Sequence, residues 1–147
     1  MPCPCGWRGH PRRECRCTPI QVEKYLSRIS GPLLDRIDLH VWVDPVEAGQ
    51  ILKAEKAEAS SAVRARVMNA RTRQAARGRL NAHLSDRELE TLCPLSNENR
   101  QLLATAMQRL SLSMRSAKRL IKVARTIADL AGSEAIQVGH LREALAF

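Results

Sequence analysis

One run in the sequence alternates apolar and polar residues as a half-buried strand does: Ile37-Asp-Leu-His-Val-Trp-Val43. No second convincing strand accompanies it. A single strand has no ladder partner and cannot form a stable sheet. The chain therefore either lacks the rest of a sheet or leaves this run poorly ordered. Every other regular element must be helical, and the expected class is mainly α.

The residues before this run carry the first charge puzzle. Ile29-Ser-Gly-Pro-Leu-Leu-Asp-Arg-Ile-Asp-Leu-His-Val41 places Arg36 between Asp35 and Asp38, among Leu33, Leu34, Ile37 and Leu39. An arginine keeps its charge and is costly to bury unpaired. It is either ion-paired locally or presented to an anion on another molecule. A short helical turn is expected over Leu33–Arg36. Thr18-Pro19 starts a helix to about Ser27, with Thr as cap and Pro at the first helical position, and Gly31-Pro32 breaks it.

Residues 1–17 contain Cys3, Cys5, Cys15 and Cys17 as two Cys-x-Cys pairs around a turn-rich loop. Four thiolates suit a closed tetrahedral zinc site, although each pair is spaced more tightly than is usual. A reduced flexible tail and a pair of disulfides are the alternatives. His10 lies in the same loop and could replace a ligand, or be a free surface histidine. No leader-like apolar run and no stretch of ~20 apolar residues is present. A soluble cytoplasmic protein is the default expectation, and in that compartment clustered cysteines point to metal rather than disulfides.

Asp44 to about Ala59 reads as a loop followed by a fraying helix. From Ser60 the pattern is that of a helical bundle. Ser60–Arg79 is a helix with Val63, Val67, Ala70 and Gln74 on one face and six arginines around the others. Asn81 to Leu84 connects it onward. Ser85-Asp-Arg-Glu88 is a capping box opening a helix to Cys93, which Pro94 ends. Cys93 reads as a core thiol. Ser96 caps the next helix, with Leu102, Leu103, Ala106 and Leu110 facing inward. Ser113 caps the longest helix, to Ala131, closed by Gly132. Its apolar stripe is Leu120, Val123, Ala124, Ile127 and Leu130. Arg115, Lys118, Arg119, Lys122 and Arg125 form a basic stripe on its outer side. A final helix spans Val138 to Ala146.

Lys and Arg number 24 against 15 Asp and Glu, a formal charge of +9 over 147 residues, with two Trp, one Tyr and one Phe. The surplus favours a polyanionic partner. So few aromatics argue against base stacking as the main mode. No Gly-x-x-x-x-Gly-Lys-Ser/Thr loop, His-Glu-x-x-His or Gly-x-Ser-x-Gly motif occurs. Taken alone, the chain carries no signature of an enzyme. Arg115, in the first turn after Ser113, could reinforce an anion site at a helix N-terminus. A solvated basic helix face is the plainer reading.

Several segments carry a resemblance. They are Cys-Pro-Cys-Gly with Cys-x-Cys-Thr-Pro, then Tyr25-x-x-Arg-Ile-Ser-Gly-Pro-Leu-Leu-Asp-Arg-Ile-Asp-Leu-His-Val41. Leu-Asn-Ala-x-Leu-Ser, Leu-Cys-Pro-Leu, Ala-x-Arg-Thr-Ile-Ala-Asp-Leu-Ala-Gly and His-Leu-x-Glu-Ala-Leu follow. Together they resemble the ComM/YifB-type magnesium-chelatase-like AAA+ ATPases over nearly the whole chain. The resemblance implies a C-terminal fragment, with Walker A and Walker B upstream. Met1 stands where the family usually carries Asn, so the chain would start inside a longer protein.

The implied layout is a Cys-rich segment and remnant of the α/β core over residues 1–44, a linker over 45–59 and an α-helical lid over 60–147. Arg36 would match the arginine finger that reaches a neighbouring subunit's nucleotide. Arg115 would match the sensor-2 arginine that contacts the γ-phosphate of ATP. The intact protein would use ATP and Mg2+ in a hexameric ring of identical subunits. It would act on DNA, in branch migration during natural transformation, without a membrane. A metal-insertion motor and a stand-alone basic DNA-binding module are the competing readings. In this chain alone Arg36 is expected to be exposed and idle, and DNA binding to be weak.

Overall fold

The computed structural model describes residues 2–41, 43, 46 and 57–147. The loop and fraying helix expected before Ala57, and with them most of the linker, lie outside the described residues. Two compact units are present, Met1–Ile37 and Asp38–Phe147.

The first unit holds α1 (Pro19–Leu26) and α2 (Gly31–Leu34). Thr18 caps α1 as its sequence dictates, and Gln21 returns the bond to complete a capping box. α2 starts two residues earlier than the sequence pattern indicates. Its Gly31-Pro32 pair opens a helix as well as ending the previous one, because proline fits the first turn. Among the described residues of this unit the buried apolar side chains are Cys3 and Val22. So small a core is insufficient for a stable fold without a further staple.

The alternation at Ile37–Val43 does not produce a strand. Ile37 to Val41 and Val43 carry no strand pairing, and Trp42 lies outside the described residues. The physical reason is the missing partner: no strand occurs among the described residues to complete a ladder. One backbone bond is found instead, from His40 N–H to the Phe147 carbonyl at 3.0 Å.

The second unit is a helical bundle: α3 (Ser60–Ala76), a 3-10 turn (Asn81–His83), α4 (Asp86–Leu92), α5 (Asn97–Leu110), α6 (Met114–Leu130) and α7 (Val138–Ala144). Helix α6 is its axis, packing against α3, the 3-10 turn, α4 and α7. Ala117, Ala124 and Ala128 are buried along it. Their small side chains let the neighbours approach. Leu84, Leu89, Cys93, Leu103, Ile136 and Leu141 close the core around them. Gly132 ends α6 at φ +72. The N–H of Ser133 reaches the Ala128 carbonyl (2.8 Å) and that of Gly132 the Asp129 carbonyl (3.1 Å), a Schellman motif.

Three inward or outward assignments change. Leu110 and Leu130 are 59% and 45% exposed, so each lies beyond the buried stretch of its stripe. Arg125, last in the basic stripe, is 2% exposed and faces the core. Its Nη2 donates to Asp129 Oδ1 (3.0 Å) and to the Ser133 carbonyl (2.6 Å). Its Nη1 donates to the Glu134 carbonyl (2.6 Å). The second oxygen of Asp129 accepts from Arg77 Nη2 (2.5 Å) and Asn81 Nδ2 (2.7 Å). Asn81 also donates its backbone N–H to Gln74 Oε1 (3.1 Å). One buried carboxylate thus ties α3, the 3-10 turn and the α6–α7 loop to the axis.

Removing that carboxylate strands two guanidinium groups. Asp129→Ala is expected to cost about 3–5 kcal/mol of unfolding free energy. Breaking the solvent-exposed Lys118–Asp86 pair with Lys118→Ala should cost about 1 kcal/mol or less. Urea melts followed by circular dichroism measure both, and similar midpoints for the two variants would contradict this ranking.

Candidate functional site

Two constellations carry chemistry, one in each unit. In the second unit, Ser113 caps α6 through its hydroxyl, which accepts from the Ser116 N–H at 3.1 Å. The first turn of the helix therefore starts at a fixed point and sets the position of Arg115. One side of α6, from Arg115 to Leu130, faces a groove of about 770 Å³. Arg115, Lys118, Arg119 and Lys122 line it from α6, over an apolar floor that includes Val123 and Ile127.

Most of this basic row is already engaged. Lys118 donates to Asp86 (2.5 Å) and Lys122 to the Ala82 carbonyl (3.1 Å). Arg119 pairs with Asp38 (3.4 Å). Arg125 has left the row for the core. An anion entering the groove meets four cations, each held only by interactions of modest strength on a partly exposed surface. Cations held along one helix are chemically suited to an anion such as phosphate.

Arg36 lies in the first unit, two residues beyond α2. It is exposed, and its Nη1 donates to the Pro32 carbonyl at 3.2 Å. The acid that follows it, Asp38, makes its ion pair with Arg119. Arg36 and Arg115 thus belong to different units, and of the two only Arg115 stands on a helix end fixed by a side-chain cap.

The second constellation is the cysteine cluster. A turn closed by Gly6 N–H to the Cys3 carbonyl (3.1 Å) folds the first pair. Gly6 sits there at φ +80, a conformation that favours glycine. Cys3 Sγ lies 3.4 Å from Cys5 Sγ and 3.6 Å from Cys15 Sγ, and Cys5 Sγ lies 3.6 Å from Cys15 Sγ. The four sulfurs, Cys17 included, all lie within 4.8 Å of one another. A tetrahedral zinc with Zn–S bonds of about 2.3 Å would hold its sulfurs about 3.8 Å apart. The donor set fits that ion in number, element and spacing. His10 is not part of it, since its Nδ1 accepts from the Arg12 N–H (3.1 Å) and its ring meets Trp7 edge-on.

The thiols divide sharply without a cation. The backbone amide of Trp7, aided by the sulfurs of Cys17 and Cys3, draws Cys5 down to about 6. Cys17 is pushed up to about 12. The backbone amide of Cys5 favours its thiolate, but the Cys5 sulfur, burial and Cys15 together outweigh it. Packed thiols cannot all ionise together, and a divalent ion would remove that conflict.

The sequence reading named Cys3, Cys5, Cys15 and Cys17, and the structure brings all four together. It missed Asp129, Asn81 and Arg77. A usable signal existed, because Arg125 and Asp129 are one helical turn apart beside the buried Ala124 and Ala128.

Two family models match. The magnesium chelatase subunit ChlI C-terminal model covers residues 57–147, and the magnesium chelatase subunit ChlI model covers residues 1–51. The competence protein ComM of Haemophilus influenzae is 40% identical over 134 residues, 90% of this chain and 26% of that protein. The YifB protein of Escherichia coli is 43% identical over 134 residues, again 90% of this chain and 26% of the relative. The Rv2897c protein of Mycobacterium tuberculosis is 37% identical over 151 residues, 99% of this chain and 29% of the relative. The chain thus spans between a quarter and a third of the length of these curated relatives. With the C-terminal model covering more than half of its residues, the chain belongs to the magnesium chelatase subunit ChlI C-terminal family.

Proposed function

We propose that this chain is the lid-bearing C-terminal part of a AAA+ ATPase. The intact protein would bind and hydrolyse ATP with Mg2+ in a ring of identical subunits and move DNA. The observation that carries the reading is Arg115. It stands in the first turn of a capped 17-residue helix and opens onto a cation-lined groove, in a chain of this family. An arginine there suits the terminal phosphate of a nucleotide, because its fork of donors matches phosphate oxygens. Arg36 completes the site of the next subunit. It is exposed, so a neighbour's phosphates can draw it from the Pro32 carbonyl without breaking a buried contact. Negative charge that develops during phosphoryl transfer would be met in trans, which ties hydrolysis to assembly.

DNA is chosen over a porphyrin metal-insertion substrate because the Haemophilus relative is a competence protein. Branch migration during natural transformation is the work proposed. In the full-length protein, Arg36→Ala should leave ATP binding within about threefold and lower turnover by about 10³-fold or more. Arg115→Ala should weaken nucleotide binding as well. Normal turnover in Arg36→Ala would refute the finger, and ATPase activity indifferent to DNA would favour the metal-insertion reading.

We also infer that Cys3, Cys5, Cys15 and Cys17 hold a structural zinc ion. The support is their mutual spacing and the near absence of an apolar core in their unit. Elemental analysis of protein purified with reduced thiols should give one zinc per chain. Cys5→Ser or Cys17→Ser should lose it. Because each thiol must shed its proton to bind, retention should fall as pH is lowered. Metal-free protein with unchanged melting behaviour on zinc addition would end this proposal.

A further inference from the structure

The basic row of α6 is largely neutralised by its neighbours, but α3 is not. From Ala59 to Ser85 the sequence has six arginines and no acidic residue. Three of the six are spent: Arg66 pairs with Glu58, Arg77 with Asp129 and Arg79 with Glu88. Arg64, Arg71 and Arg73 are exposed and make no ion pair among the described residues. Only Ala70 and Gln74 of this 17-residue helix are buried. Its N-terminal half stands clear of the core, with Val63, Val67 and Met68 between 39% and 54% exposed.

A merely solvated helix face intersperses both signs of charge. α4 and α5 do so, with Asp86, Glu88 and Glu98 among their basic residues. Arg73 in α3 and Arg77 just past its end instead stand at i and i+4, a like-charge spacing that weakens a helix slightly. Arg64 and Arg71 are seven residues apart, so they share a face with a rise of about 10.5 Å between them. Arg73 lies on the opposite flank, its guanidinium near Gly132 at the end of α6.

We infer that α3 is a nucleic-acid contact helix, with Arg64 and Arg71 gripping phosphates of the backbone and Arg73 adding charge from the other flank. The juxtaposition of unpaired arginines, an acid-free helix and an exposed face carries the inference. Arginine forks suit phosphate oxygens. An acidic protein partner is the weaker candidate, because the exposed face of α3 has no aromatic anchor of the kind that centres protein interfaces. With no aromatic to stack on, contact should be to the backbone and indifferent to sequence. The inference rests on the proposed DNA function for its choice of polyanion, and it names the surface that would hold it.

The test is fluorescence anisotropy of a labelled duplex with the 147-residue chain, titrated at several salt concentrations. Arg64→Ala with Arg71→Ala should weaken binding about tenfold or more and lower the log–log salt slope by about 2. Arg64→Lys with Arg71→Lys should retain most of the binding, and circular dichroism should show unchanged helicity. Lys118→Ala with Lys122→Ala should change affinity less than about twofold. Equal losses in the α3 and α6 pairs, or no loss in the α3 pair, would overturn the assignment. Polyglutamate binding as tightly as the duplex would overturn it in favour of an acidic protein partner. Full-length protein separates this idea from the ATPase reading. Arg36→Ala should abolish turnover and spare duplex binding, whereas the α3 pair should weaken duplex binding and spare DNA-free turnover.

Discussion

The bundle depends on one buried carboxylate. Asp129 is 1% exposed and accepts from Arg125, Arg77 and Asn81. A buried acid is costly unless paired, and here two guanidinium groups and an amide share it. The guanidinium of Arg125 passes the connection on to the Ser133 and Glu134 carbonyls. Those carbonyls lie in the α6–α7 loop, just past the end of the helix. The network therefore does two things at once: it holds the loop that follows α6 and fixes the end of α3 against the helix. The apolar core adds bulk stability around this point, but its Leu and Ala contacts are less directional and could slide by a turn.

The sequence shows the bundle because helix starts are written locally. Thr18, Ser85, Ser96 and Ser113 each cap the helix that follows, and a cap needs only residues within one turn. The four cysteines were legible for a similar reason, since their loop is short and thiol chemistry restricts the readings. What was not legible depends on distance. Arg125 continues the spacing of Arg115, Lys118 and Lys122, so periodicity puts it on the outer stripe. It is drawn inward by Asp129 one turn on and by Asn81 and Arg77 from other elements. Periodicity reports an average face, and a specific ion pair overrides it. The alternation at Ile37–Val43 fails in the opposite sense. A strand pattern states what a segment can pair with, and no pairing strand is found among the described residues.

The same sorting of cations explains what the surface can do. An arginine in this fold is either consumed by a partner or left for a ligand, and sequence alone does not say which. Arg77, Arg79 and Arg125 are consumed. Arg64 and Arg71 have no ion-pair partner among the described residues, although their neighbours in sequence look the same. A charge count of +9 therefore overstates the surface available to a polyanion and says nothing about where that surface lies. Only the ion-pair map separates structural from presented charge.

Helix α6 joins these themes mechanically. Its 17 residues make a rod of about 25 Å. Arg115 lies at its first turn, above the groove, and Asp129 at its last, inside the network. Because Asp129 locks α3 and the α6–α7 loop to the far end of the rod, α6 cannot tilt alone. A displacement of α6 would carry α3 and the α6–α7 loop with it, since Asp129 and Arg125 tie them to the helix. On the proposed reading, occupancy of the groove would thus be felt at α3, where the presented arginines lie, through a rigid connection rather than through a chain of small side-chain shifts.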